Sequence, residues 1–75
     1  MICQGCNKVK DKLRIVPSKL MRTKWNMCET CIERGLEPRW AIILTGRSKG
    51  IDTIVEFIRK RKYVGDEITM IDIVS

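Results

Sequence analysis

Apolar residues at Ile51, Ile54, Val55 and Ile58 follow the i, i+3, i+4, i+7 spacing of one helix face and predict a helix of roughly three turns. Thr53 and Glu56 stand at capping-box spacing, and Gly65 supplies a stop. Residues 10–27 mix charge with Leu13, Ile15, Val16, Leu20, Met21 and Trp25 and are interrupted by Pro17-Ser18, a pattern that predicts two or three short strands in a hairpin. Between these regions lies Glu37–Gly46. Pro38 suits a first helical position, Gly46 a stop, and Trp40, Ile43 and Leu44 share one helical face. Its β-branched content suits a buried strand, so helix is the preferred reading and strand stays open. The final segment is also open: Thr69 followed by Asp72 predicts a short capped helix, whereas alternation of Ile71, Asp72 and Ile73 suits a strand.

The cysteines organise the first half. Cys3, Cys6, Cys28 and Cys31 form C-x2-C-x21-C-x2-C, a spacing that lets two thiolate pairs complete one tetrahedral site with metal–sulfur bonds of about 2.3 Å. Asn7 follows the first pair and tolerates the left-handed backbone that a metal-binding knuckle requires. No Gly or Asn directly follows Cys31, while Gly35 is placed to end a helix, so the second pair is expected to open one. Knuckle, hairpin and ligand-bearing helix make a small α+β zinc-binding domain of treble-clef-like form, followed by one or two C-terminal helices. A zinc ribbon would instead place both pairs on hairpin turns. The chain reads as one domain, with a zinc module over residues 1–35 and an apolar segment with helical extension over 36–75.

Composition explains why a staple is needed. The chain has 75 residues and four large rings, Trp25, Trp40, Phe57 and Tyr63, and chains this short bury little apolar surface. Met1–Cys6 has no charged region followed by an apolar stretch of signal-peptide length, and the apolar run Trp40–Leu44 is too short to span a bilayer. A reduced, cytoplasmic setting without membrane attachment is therefore expected, which favours metal over disulfides. One structural Zn²⁺ is the expected cofactor; a rubredoxin-like iron site has the same ligand set. Four thiolates leave no open coordination position, and the chain lacks histidine, so neither catalysis nor a small-molecule substrate is expected.

Charge bears on partners. The formal charge is +6, and four thiolates with one zinc lower it to about +4. Residues 63–75 hold three acids and no base, leaving a basic body and an acidic tail. Lys19, Arg22 and Lys24 on the hairpin make one basic set, with Trp25 expected as a lid on the metal and Trp40 as core. Gly46–Gly50 carries Arg47 and Lys49 ahead of the predicted helix, and lacks P-loop spacing. Arg59-Lys60-Arg61-Lys62 is partly offset by Glu56 and reads first as a solvated helix end, with Arg59 retained as a contact candidate.

The paired cysteines, with Glu37-Pro38-Arg39-Trp40, Gly46-Arg47-Ser48-Lys49-Gly50 and Arg61–Ile68 in order, resemble a group of short four-cysteine zinc-finger proteins encoded by tailed bacteriophages. The resemblance covers most of the chain. It implies a phage protein acting in the host bacterial cytoplasm, implies no activity, and directs attention to Arg39 and Arg47, which bracket the apolar segment. Nucleic-acid binding in a regulatory role is the leading functional expectation, through Lys19, Arg22, Lys24, Arg39, Arg47, Lys49 and Arg59. The alternative is a module that docks on a host protein machine, or a minor component of a larger assembly.

Overall fold

Asn7 adopts the left-handed conformation (φ 60°) that closes the first cysteine turn, and an isolated antiparallel bridge, Ile2 to Val9, clasps the turn's two arms. The computed structural model describes residues 1–74. Two antiparallel strands follow, β1 (Arg14–Pro17) and β2 (Lys24–Met27), with Val16 opposite Trp25 and Pro17 opposite Lys24. Alternation works on β2, where Trp25 and Met27 are buried and Lys24 and Asn26 are exposed. Ser18 organises the connecting turn: its Oγ accepts from the Leu20 and Met21 amides, and its own amide donates to the Thr23 carbonyl.

Cys28 is extended and leads directly into α1 (Glu29–Arg34). Gly35 (φ 67°) ends this helix as expected. Its amide donates to the Ile32 carbonyl and that of Leu36 to the Cys31 carbonyl, a Schellman closure that turns Leu36 into the core.

Residues 39–45 are helical, and their helix, α2 (Arg39–Lys49), extends past its expected stop. Pro38 precedes the helix as its N-cap, and Gly46 lies inside it. The reason is packing. A Cβ at Gly46 would stand 2.6 Å from Ile54 Cδ1 and 3.4 Å from Ile73 Cγ2, so this glycine admits other side chains to the helix surface. The apolar face is also rotated from the expected one. Ala41, Ile42, Thr45 and Gly46 face inward, whereas Trp40 is 56% exposed and Leu44 47%; Trp40 is not core.

The predicted three-turn helix is broken. A 3₁₀ turn (Ile51–Thr53) leads to Ile54 (φ −120°, ψ 3°) and then to α3 (Val55–Arg59). This break seats Ile54, fully buried, over Gly46. Thr53 Oγ1 donates back to the Gly50 carbonyl and Glu56 pairs with Arg59 and Lys60, so no Thr53–Glu56 capping box forms. α3 ends at Arg59, well before Gly65, and beyond it the left-handed backbone of Arg61 (φ 49°) brings the Lys62 amide to the Phe57 carbonyl. The last segment is α4 (Met70–Val74), opened by Thr69. Among the described residues three α-helices follow α1 rather than one or two, because both ambiguous segments are helical.

Two buried clusters result. Cys3, Trp25, Met27, Cys28, Cys31, Leu36 and Ala41 form one; Ile42, Ile54, Tyr63, Ile68 and Ile73 form the other. α2 joins them through the adjacent residues Ala41 and Ile42. None of the described helices is long and apolar enough to cross a membrane.

Candidate metal centre

The knuckle presents Cys3 and Cys6 to the start of α1, where Cys28 caps the helix and Cys31 occupies its first turn. All four Sγ atoms lie within 4.8 Å of one another. Cys31 Sγ is 3.6 Å from Cys3 Sγ and 3.5 Å from Cys28 Sγ. Tetrahedral thiolates bound at about 2.3 Å stand about 3.8 Å apart, so the donor set fits one metal ion. Cys3, Cys28 and Cys31 are buried and Cys6 is half-buried.

Backbone donors favour ionisation at one corner. Burial opposes charge on Cys3, but N–H groups of Cys28, Cys6 and Gly5 directed at its sulfur outweigh that and hold its thiol below the usual range. Burial and the three neighbouring cysteines push Cys31 far upward. Thiols converging on one point cannot all ionise without a cation among them, which is the electrostatic condition for metal binding. Lys8, Lys10 and Arg34 line a cavity of about 290 Å³ beside Cys6, Cys28 and Cys31, so cations lie on one side of the sulfurs.

Two residues here escaped sequence reading. A Cβ at Gly5 would stand 3.0 Å from Cys31 Sγ and 3.1 Å from Cys31 Cβ, so a larger residue there would press Cys31 out of place by a few tenths of an ångström. Its position between two ligands was the available signal. Glu37 is 3% exposed, and its Oε1 accepts from Ser18 Oγ (2.6 Å) and Trp25 Nε1 (3.2 Å). The sequence carried it only within Glu37-Pro38-Arg39-Trp40 and gave it no role, because its partners are distant in sequence. Glu37 ties the hairpin to the entry of α2 and engages the Trp25 indole, which packs in the metal-side cluster.

The basic residues fall into different settings. Lys19, Arg22, Lys24 and Lys49 are exposed, with no carboxylate in ion-pair range among the described residues. Arg59 is exposed but paired with Glu56 (3.0 Å). Arg39 donates through Nε to the Asp66 carbonyl (2.7 Å) and lies 3.5 Å from the Asp72 carboxylate. Arg47 donates through Nε and Nη2 to the Asp72 carbonyl. These two arginines thus clamp the acidic tail to α2.

The hairpin turn lies between two surface cavities. One, of about 180 Å³, is lined by Lys19, Gly35, Glu56, Phe57, Lys60 and Lys62. The other, of about 260 Å³, includes Arg22, Leu44, Ser48 and Lys49. Cations remote in sequence are therefore gathered on both sides of one turn. Lys60 and Lys62 belong to this surface although the sequence presented them as part of a solvated run. Set against protein-family models, curated proteins and solved structures, the chain matches none.

Proposed function

We propose that this chain is a non-catalytic nucleic-acid-binding protein, built on a treble-clef-like module in which Cys3, Cys6, Cys28 and Cys31 hold one structural zinc ion. The module reading is supported by the order of knuckle, hairpin and helix, with the last two ligands at the helix start. Zinc is supported by a closed set of four thiolates at tetrahedral spacing. Native mass spectrometry checks it: one zinc per chain is expected, and one iron would overturn it.

The nucleic-acid reading rests on cations around the hairpin turn, Lys19 and Lys62 on one side, beside the Glu56–Lys60 pair, and Arg22 with Lys49 on the other. Such a strip suits a phosphate backbone, whose charges are contacted without sequence readout. In this reading Lys24 extends the strip along β2, and Arg39 and Arg47 act mainly by holding the tail. The Asp72 carboxylate is paired with Arg39, which limits its repulsion of phosphate, whereas Asp66 is held through its backbone carbonyl. A regulatory role in a bacteriophage-infected cytoplasm is the biological setting that the sequence resemblance suggests.

Binding of fluorescent single-stranded and duplex oligonucleotides, measured over a salt series, tests this reading. Affinity is expected to fall by roughly 0.7–0.9 log units per log of salt for each phosphate contacted. Combined Lys19→Ala, Arg22→Ala and Lys49→Ala substitutions are expected to flatten that slope by about two to three log units while leaving metal content unchanged. Absence of binding to either probe at low salt overturns the proposal.

A further inference from the structure

The outer face of α2 carries a shallow groove of about 290 Å³ lined by Arg39, Trp40, Ile43, Leu44 and Arg47. Trp40 and Leu44 are about half exposed, an unusual position for large apolar side chains in a chain with so few rings. Trp40 is nevertheless held in place. Its ring meets Trp25 edge to face, with centroids 5.4 Å apart and planes at 86°, so the exposed indole is braced by the metal-side core. The neighbouring α4 adds Met70, Ile71 and Val74, all exposed, beside the helix it packs on.

Arginines stand at both ends of the groove. Arg39 and Arg47 are eight residues apart on one helix, so their Cα atoms are separated by about 12 Å. Each uses Nε and Nη2 toward the tail, and Nη1 of each has no partner among the described residues. The tail therefore fixes both guanidinium groups while leaving each a free donor. A pre-set aromatic between two immobilised cations costs little ordering entropy on binding.

We propose that this groove docks an acidic amphipathic segment of a protein partner, with aliphatic side chains against Trp40, Ile43 and Leu44 and carboxylates at each end toward Arg39 and Arg47. Charge selects this occupant. A second copy carries the same positive charge, about +4 with one zinc bound, and meets repulsion, whereas an acidic segment is attracted. Nucleic acid fits less well, since the centre of the groove is apolar. This inference does not depend on the nucleic-acid reading, whose cations lie around the hairpin turn.

The test is heteronuclear NMR titration of the metal-loaded full chain with a synthetic 14-residue helical peptide bearing leucines on one face and glutamates eight residues apart. A charge-reversed peptide with lysines at the glutamate positions is the control. Expected are saturable shifts at the Trp40 indole N–H, Ile43 and Leu44, with little response to the lysine peptide. Trp40→Ala is expected to weaken binding by about ten-fold or more. Because Trp40 packs on Trp25, Leu44→Ser provides a second variant at an exposed position, expected to weaken binding with spectral dispersion intact. No shifts with the acidic peptide, equal binding of both peptides, or a Trp40-dependent dimer in sedimentation would each overturn the proposal. Oligonucleotide binding in parallel separates the two surfaces: loss through Lys19, Arg22 and Lys49 substitutions is expected to leave peptide shifts unchanged.

Discussion

At the residue scale, small groups decide the geometry of the cysteine site. Gly5 lies tight against Cys31, where a methyl group would need the cysteine to shift by a few tenths of an ångström, and its amide is among the donors directed at Cys3. Gly5→Ala is expected to retain all four ligands yet weaken metal binding by at least an order of magnitude, read by chelator competition; unchanged affinity would show that the knuckle has slack. Glu37 teaches the opposite lesson about legibility. Its acidic side chain belongs on a surface by composition, yet two donors from the hairpin compensate its burial. Cysteine spacing alone pointed to the cluster, because a shared tetrahedral site would impose a local sequence rule, whereas the hydrogen bonds of Glu37 span 12 and 19 residues and impose none.

At the element scale, packing overrode periodicity. The stripe Ile51–Ile58 is helical in sequence, but burying Ile54 against Gly46 breaks it into a 3₁₀ turn and a short helix. Gly46→Ala sets about 1 kcal/mol of helix propensity against roughly 1–3 kcal/mol of overpacking. A net loss of about 1 kcal/mol is expected in thermal unfolding, and a gain would mean that Ile54 yields freely. α4 depends on one carboxylate: Asp72 accepts from the Thr69 amide (2.9 Å) and hydroxyl and faces Arg39. The Thr69 amide bond foremost, then its hydroxyl and the Arg39 and Arg47 charges, outweigh desolvation and hold the Asp72 carboxyl below its usual range. A lowered folded value means that this stabilisation is complete above the unfolded value, near 3.8, and is lost as pH falls through the folded one. Amide exchange in residues 69–74 is therefore expected to rise relative to the rest of the chain in acid below about pH 4, on a protein whose metal content is checked in parallel. Asp72→Asn is expected to abolish that pH dependence; if it persists, another group anchors α4.

At the scale of the whole molecule, two small clusters share one helix. Ala41 belongs to the cysteine-side cluster and Ile42 to the other, so loss of the first removes support from the second. Bound structural zinc contributes on the order of 10–16 kcal/mol, which matches or exceeds the net stability of a typical small domain. Removing metal with a strong chelator under reducing conditions is expected to abolish near-ultraviolet dichroism from both tryptophans and to collapse helical signal together, with recovery on zinc addition. Persistence of the Ile42–Ile54–Ile73 cluster in metal-free protein would show that the helical half folds alone.

The sequence by itself determined the cysteine cluster, the left-handed Asn7, the hairpin and the Gly35 stop. Each follows from a rule acting over a few residues: ligand spacing, turn chemistry, strand alternation or helix capping. Only the tertiary structure decided which face of α2 is buried, that Gly46 lies inside it, that Arg39 and Arg47 clamp the tail, and that remote lysines and arginines gather at the hairpin turn. Those outcomes depend on which elements meet. A helix with apolar residues on more than one face has several burials available, and here the neighbour supplied by Ile54 selected one.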